Sequence, residues 1–280
     1  MIQYIYMAEI APPQESVFSK TRSFLRSDSF FAKLAFIILV LIIFYYLLQV
    51  TLLIIRQLFG SSGHTHVFKG IKNGNKNVTI AQDPNIKGSV TILRSDNKKN
   101  GIEFTYSVWL NIYNLEPTGQ RKHIFHKGNI DDLDSETNMY IPNNSPGLYL
   151  DATTNKLIVV MNTFDKVTEE IPIDNIPFNN WINVSVVVKQ KIVDVYVNGI
   201  LAKRHELSGL PKQNYGNVHI NKNGGFNGSL ADLSYYNYAV GPAKLRATAE
   251  AKPNFKVDNK NIENYPPYFS LGWYTSKSNA

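Results

Sequence analysis

The chain contains no cysteine. This excludes a disulfide framework, a thiolate nucleophile and any cysteine-ligated zinc. Stability must come from a hydrophobic core, which a domain of roughly 200 residues can supply without covalent staples. The absence also disfavours an ordinary secreted animal protein, where disulfides are frequent. Charged residues make up only 18% of the chain against 44% hydrophobic, the balance of a chain that folds and not of a disordered one. The charge is nonetheless uneven, with a formal net +7 and a pI near 9.3. No basic run interleaved with aromatic residues accompanies it, and no nucleic-acid motif occurs. The excess reads as scattered, solvated surface charge, and nucleic acid is not an expected partner. The sequence also lacks a serine in a nucleophile elbow, an HExxH pair and a phosphate loop.

The first feature that is present is an apolar run. Residues 34–55 read LAFIILVLIIFYYLLQVTLLII, without a charge and with only Gln49 and Thr51 clearly polar. At about 1.5 Å per residue the run extends roughly 33 Å, enough to cross a hydrocarbon core of ~30 Å. In lipid its backbone must be satisfied internally, so it must be helical. Tyr45 and Tyr46 lie mid-span and form no interfacial belt; they are candidates for a face packed on another protein. A cleaved signal peptide would begin nearer the N-terminus and be shorter, so the expectation is a retained anchor. Lys20, Arg22, Arg26 and Lys33 precede the run, whereas Arg56 alone closely follows it. The positive-inside rule then puts the N-terminus in the cytoplasm and the rest on the far side. Val17, Phe18, Phe24, Leu25 and Phe31 recur at helical spacing among the basic residues. They form either a short interfacial helix on an anionic membrane face or an extension of the anchor. Residues 60–66 (GSSGHTH) read as a flexible linker, with His64 and His66 as solvated residues lacking a third ligand.

Beyond the linker, strands and turns alternate. Ile102, Phe104, Tyr106, Val108, Leu110 and Ile112 share one parity, while Glu103, Thr105, Ser107 and Asn111, with Trp109, take the other. This predicts a strand with one face buried and one exposed. Segments 181–188 and 192–197 form a hairpin across Gln190-Lys191, and Asn198-Gly199 turns the chain into a further strand over 200–206. Trp181 and Val195 are expected core positions. Weaker strands are expected at 77–82, 89–94, 123–126, 148–151, 157–162, 167–173, 218–221 and 229–238. One short helix is expected at 242–251, with Pro242 in its first turn. Many strands with no helices between them predict an antiparallel sandwich.

The order of the pieces FTYSVWLNI, HIFHKGN, GLYLDATTNKLIVVMN, WINVSVVVKQKIVDVYVNGILAKRHELSG and GFNGSLADLSYYNYAVGPAKL resembles the laminin G-like branch of the concanavalin A-like jelly rolls over residues 101–249. The resemblance implies an all-β, antiparallel jelly-roll sandwich behind a single transmembrane α-helix. The expected organisation is an N-terminal cytoplasmic or interfacial segment (1–33), a transmembrane helix (34–55), a linker (56–66), the jelly-roll domain (67–252) and an aromatic tail (253–280). Anchor position, absence of cysteine, Asn/Lys/Ile-rich composition and aromatic tail together resemble membrane-anchored jelly-roll proteins of large DNA viruses of algae and protists.

Asp132, Asp134 and Glu136 alternate as catalytic carboxylates do on some glycoside hydrolases of this fold. On a strand they would point the same way, and a retaining pair needs its carboxyls ~5–5.5 Å apart. Turn-rich surroundings (GNIDDLDSETNMYIPNNSPG) instead predict a solvated or cation-binding loop. Laminin G-like relatives often bind calcium at a rim. Here Asp232 matches the acid of the closing strand, but Ala231 stands where a second acid is common, so Asp232 is expected to be a structural hydrogen-bond acceptor. His123, His126, His205 and His219 are dispersed along strands. Asn77, Asn183 and Asn227 fit the glycosylation sequon. The tail segment 265–274 (YPPYFSLGWY) either packs back on the sandwich or docks on a partner. No catalytic, cofactor or metal residue is assigned. The chain is expected to be a non-enzymatic, single-pass membrane protein whose partners are the bilayer, other proteins of a capsid or surface assembly, and glycans. A virion structural protein tying membrane to protein shell is the leading reading; a cell-surface glycan-binding or adhesion module and a glycoside hydrolase are the alternatives.

Overall fold

The computed structural model describes residues 22, 24, 29–59, 63–95, 101–115 and 119–256. Most of the N-terminal segment and the aromatic tail at 265–274 lie outside the described residues. The chain divides into two compact units, residues 1–60 and 61–280.

In the first unit, α1 (Phe30–Phe59) contains the whole 34–55 run. Its stretch Phe30–Ile55 spans 26 residues, and its most apolar window has a mean hydropathy of 2.8 and is nowhere buried in protein. The helix is long and apolar enough to cross a membrane. Thr51 satisfies its hydroxyl within the helix by donating to the Leu47 carbonyl at 2.8 Å, the arrangement an apolar solvent demands.

The second unit is a β sandwich. Its strands begin with β1 (His64–His66), β2 (Ile71–Asn73), β3 (Val78–Ile80), β4 (Glu103–Ile112) and β5 (Lys122–Gly128). Next come β6 (Asp132–Asp134), β7 (Met139–Ile141), β8 (Gly147–Leu150), β9 (Leu157–Met161) and β10 (Glu169–Ile173). The last are β11 (Trp181–Lys189), β12 (Ile192–Val197), β13 (Ile200–Glu206), β14 (Asn217–Ile220) and β15 (Gly228–Tyr236), followed by α2 (Pro242–Glu250). One sheet runs β1-β15-β4-β11-β12-β13, with β2 also on β15; the other runs β10-β9-β8-β5-β14-β3; β6 and β7 form a separate ribbon. All pairings are antiparallel. The late strands β14 and β15 return to lie beside β5 and β4, the long crossovers of a jelly roll.

The strong alternations became strands in register. Ile182, Val184, Val186 and Val188 face Leu110, Val108, Tyr106 and Phe104 across the β11–β4 ladder, and all eight are buried between the sheets. The Asn198-Gly199 turn has φ of 50° and 75°, the positive pair a tight hairpin requires. Six of the nine non-glycine residues with positive φ among the described residues are asparagines, which explains part of the asparagine-rich composition.

Four expectations are corrected. The outer face of β4 is not exposed: Thr105 is 0%, Ser107 3% and Trp109 5% accessible. Helix α2 covers this side, with Leu245 joining Val187, Tyr196, Tyr236 and Val240 in a second small core. The polar residues beneath it satisfy one another. Ser185 donates to Ser107 at 2.9 Å, Asn183 donates to Ser107 at 3.1 Å, and Thr105 bridges Tyr238 O and Val240 N. Each such bond contributes about 1 kcal/mol net, and leaving a partner unpaired costs more. Trp181 is only half-buried, on the outer parity at the start of β11, its ring edge-on to Phe255 at 6.0 Å. Segment 89–94 forms no strand. Ile92 N–H donates to the Gln82 side chain and Val90 N–H to Ala81 O, so a side-chain amide takes the place of a ladder partner. Finally, His64 and His66 are not linker residues, although His66 is exposed. They form β1 against β15, with the His64 ring stacked on Tyr236 at 4.3 Å.

Candidate functional site

Asp132 and Asp134 lie on β6, in a two-stranded ribbon with β7 and not in a loop. Asp132 and Glu136 are exposed. Asp134 caps the ribbon turn, accepting from the Thr137 hydroxyl at 2.6 Å and the Glu136 N–H at 3.0 Å. These bonds, Thr137's foremost, hold its carboxyl below the usual range. A glycosidase general acid needs the opposite shift. Asp232 sits at the bulge of β15 with φ of 50°, accepting from Gly70 N–H at 2.8 Å and Asn254 N–H at 2.7 Å. It is a structural acceptor that ties β15 to two neighbouring segments. Of the three sequon asparagines, Asn183 is 1% accessible and bonded within the outer-face polar cluster, while Asn77 is exposed. Among the described residues, no group of three or more His, Cys, Asp or Glu side chains is placed to hold a metal ion.

The structure brings together three histidines that looked dispersed. His123, His126 and His219 are 0%, 0% and 3% accessible. They form one layer on the outer face of the six-stranded sheet. His126 stacks on His219 at 5.0 Å on one side and on Tyr140 of β7 at 5.0 Å on the other. Strand parity alone would put His123 and His126 on opposite faces; the register shift between His123 and Phe125 aligns them. Their tautomers follow from the hydrogen bonds. Lys222 N–H donates to His123 Nδ1 at 3.0 Å, so that nitrogen carries no proton. In the neutral ring Nε2–H then donates to His126 Nδ1 at 2.7 Å, and His126 Nε2–H donates to Asn129 O at 3.0 Å. His219 completes the layer through Thr79 Oγ1 at 3.2 Å. Burial pushes His126 down to about 3 and His219 to about 4, and lowers His123 well below its ordinary value. Lys222, a cation, adds to the effect on all three. The layer is therefore neutral at physiological pH. His205 stands apart, bonded to Glu169 at 2.9 Å.

Among the described residues, two cavities open to solvent stand out. One, of about 260 Å³ on the outer face beside α2, is lined by His66, Trp109, Asp232, Ser234 and Lys252 among others. The larger, about 390 Å³, lies at the end of the sandwich where β4 starts and β5 finishes. Its lining includes Phe104, Tyr106 and Tyr235 from one sheet and Lys127 and Asn217 from the other, with Ile92 at its side. Lys127, on the inward parity with Phe125, is 6% accessible. Its ammonium donates to Gly216 O at 2.8 Å and Asn214 O at 2.9 Å. Burial lowers its pKa to about 8, so it stays charged at neutral pH.

A family model described as the concanavalin A-like lectin/glucanases superfamily matches residues 74–246. Among solved structures, the binding domain of botulinum neurotoxin serotype G is similar at a TM-score of 0.45 and 10% identity, over 67% of this chain and 50% of that one. The binding domain of botulinum neurotoxin DC, in complex with rat synaptotagmin II, gives 0.45 and 12%, over 66% and 42%. The receptor-binding domain of the C/D mosaic serotype gives 0.43 and 10%, over 54% and 36%. The chain thus spans half or less of each of these structures. No curated protein matches it. With the family model covering the whole span from the β2–β3 turn into α2, the chain belongs to the concanavalin A-like lectin/glucanases superfamily.

Proposed function

We propose that this chain is a non-enzymatic, membrane-anchored binding module, with α1 retained in a bilayer and the sandwich held on the far side to engage an assembly partner. The observation that carries the reading is the uninterrupted apolar helix ahead of a complete sandwich domain. The leading form is a virion structural protein that ties a membrane to a protein shell. Its support is the cysteine-free sandwich behind an N-terminal anchor and the asparagine-rich turns. A glycan-binding or adhesion module is the second reading, favoured by a superfamily whose description includes lectins.

Full-length protein is expected to stay in the membrane pellet after alkaline carbonate washing, while a chain shortened to begin at Gly60 is expected to be soluble. Leu41→Arg should cost roughly 2.5–3.5 kcal/mol of insertion free energy on translocon scales. A carbonate-soluble full-length chain overturns the anchor. Protease added to sealed vesicles of known orientation tests the topology: removal of the β domain from the cytoplasmic side reverses it.

The non-enzymatic reading is supported by the carboxyl of Asp134, held low by its turn. The check is a hydrolysis screen against β-glucans, chitin and sulfated galactans. The chain is run beside a triple variant carrying Asp132→Asn, Asp134→Asn and Glu136→Gln. No turnover is expected from either. Turnover lost in the triple variant would make the chain a glycosidase. Saturable retention on one glycan would favour the adhesion reading, and co-purifying shell proteins the structural one.

A further inference from the structure

We propose that α1 pairs with the α1 of a second copy of this chain in the plane of the membrane, along a stripe centred on Gln49. The inference rests on the reading of α1 as a retained anchor, and it names a partner for that anchor.

One polar group carries it. At about 1.5 Å per residue, Gln49 lies about 7 Å from the middle of the 34–55 run, well inside the ~15 Å half-thickness of a hydrocarbon core. The residue is exposed on the helix, and its amide has no hydrogen-bond partner among the described residues. Thr51 needs none from outside, because its hydroxyl already donates to Leu47 O at 2.8 Å. A primary amide left bare in hydrocarbon is unfavourable, since lipid chains offer it nothing to bond. Polar side chains of this kind join transmembrane helices by bonding across the interface.

The residues around Gln49 supply a face for that contact. Ile38, Ile42, Tyr45, Gln49 and Leu52 recur at alternating spacings of four and three, the seam along which two helices pack at a shallow left-handed crossing. All five are exposed. Tyr46 and Leu53 flank the seam. Tyr45 and Tyr46 are 57% and 64% accessible, their rings edge-on at 5.7 Å in the middle of the span. Val40, Phe44, Leu47 and Thr51 occupy the opposite face, which asks for nothing but lipid.

A second copy is the occupant because its amide arrives at the right depth. Every copy inserts with the same topology, so two α1 helices lie parallel and bring Gln49 to the same level across a two-fold axis. A carboxamide carries two donors and an acceptor, so each side chain can donate to the other. The run holds no charge, and nothing in it calls for a charged partner helix.

The absence of cysteine makes the test direct. Single-cysteine variants of the full-length chain are reconstituted in phosphatidylcholine vesicles and oxidised. Ile42→Cys and Leu52→Cys are expected to form disulfide-linked dimers efficiently, and Val40→Cys, Phe44→Cys and Leu47→Cys poorly. Energy transfer between copies labelled through Ser62→Cys, outside the span, measures the affinity. Gln49→Leu should weaken association ~10-fold or more, the effect of losing two interhelical hydrogen bonds. Gln49→Asn, which keeps an amide, should retain most of it, and Phe44→Leu should leave it unchanged. Carbonate washing of the same vesicles separates this proposal from the anchor reading. A chain that resists the wash yet stays monomeric, cross-links without preference for one face, or associates as tightly with Gln49→Leu overturns the pairing and leaves the anchor standing. A chain that washes out overturns both.

Discussion

Between pH 7 and pH 5 the β domain is expected to lose roughly 4–6 kcal/mol of unfolding free energy. The cause is the layer of His123, His126 and His219, buried neutral on the outer face of the six-stranded sheet. In the unfolded chain each imidazole takes up a proton near pH 6.5. In the fold that proton is refused until about pH 4 at His219 and about pH 3 at His126, and His123 is likewise lowered. Below pH 6.5 the unfolded state therefore binds more protons, and stability falls by up to 1.4 kcal/mol per pH unit per histidine. Stability is fully present above pH 6.5 and is lost as the pH drops toward the folded values. Carboxylates ionise below this window and do not offset the loss. The facing groups cannot rescue the layer either. Tyr140 and Tyr149 are neutral phenols here, and Lys222 is a cation. The change is comparable to the whole stability of an ordinary domain, about 5–15 kcal/mol. Denaturant unfolding of the full-length chain, followed by tryptophan fluorescence at pH 7, 6 and 5, measures it. His219→Asn should remove about a third of the layer's contribution to the pH dependence, with the lowered His64 and His66 adding a smaller part of the same sign. A stability that stays flat to pH 5 would contradict a neutral, buried layer.

Replacing Val195 by aspartate is expected to abolish the folded sandwich. Val195 is 0% accessible in the middle of β12, opposite Val186 of β11 and facing the other sheet. A carboxylate there has no partner, and either its charge or its protonation must be forced on an apolar core. Losses above 4–5 kcal/mol are the mark of such a substitution. Val195→Ala, which only empties space, should cost ~2 kcal/mol. That corresponds to a fall of about 4–8 °C in Tm for a domain of this size. Limited proteolysis separates the two: the alanine chain should keep the wild-type resistant fragment, and the aspartate chain should lose it. A wild-type fragment from Val195→Asp would mean that β12 presents its other face to the core.

Much of the scaffold was readable because the physics that built it is local. The apolar run at 34–55 exceeds the thickness of a hydrocarbon core and leaves no interpretation but a helix. In β4, β11 and β12 alternation is strict because one parity is sealed between two sheets, and Pro242 marks the start of α2. What was misread depended on what lies against a strand. The outer parity of β4 and β11 carries Thr105, Ser107, Asn183 and Ser185, which look like surface residues. Polar side chains that satisfy one another can be buried, and nothing in a single segment announces that α2 will cover them. Segment 89–94 has strand-like residues, but it lies beside the chain leaving β3, where the Gln82 side chain takes a ladder partner's place.

The candidate sites were the least legible part. Sequence by itself determined the class of fold, a helix long and apolar enough to cross a membrane, and the absence of thiol chemistry. It also carried Asp232 as a structural acceptor, because the closing-strand motif is continuous. Only the tertiary structure decided that His123, His126 and His219 share one layer and that Tyr106, Tyr235 and Lys127 share one cavity. The histidines meet because a bulge reverses the parity of His123 and because β14 returns from far along the chain to lie on β5. Tyr106 and Tyr235 pair across β4 and β15, 129 positions apart, by a crossover of the same kind. Such meetings are set by chain topology, and periodicity within a segment carries no information about which segments become neighbours.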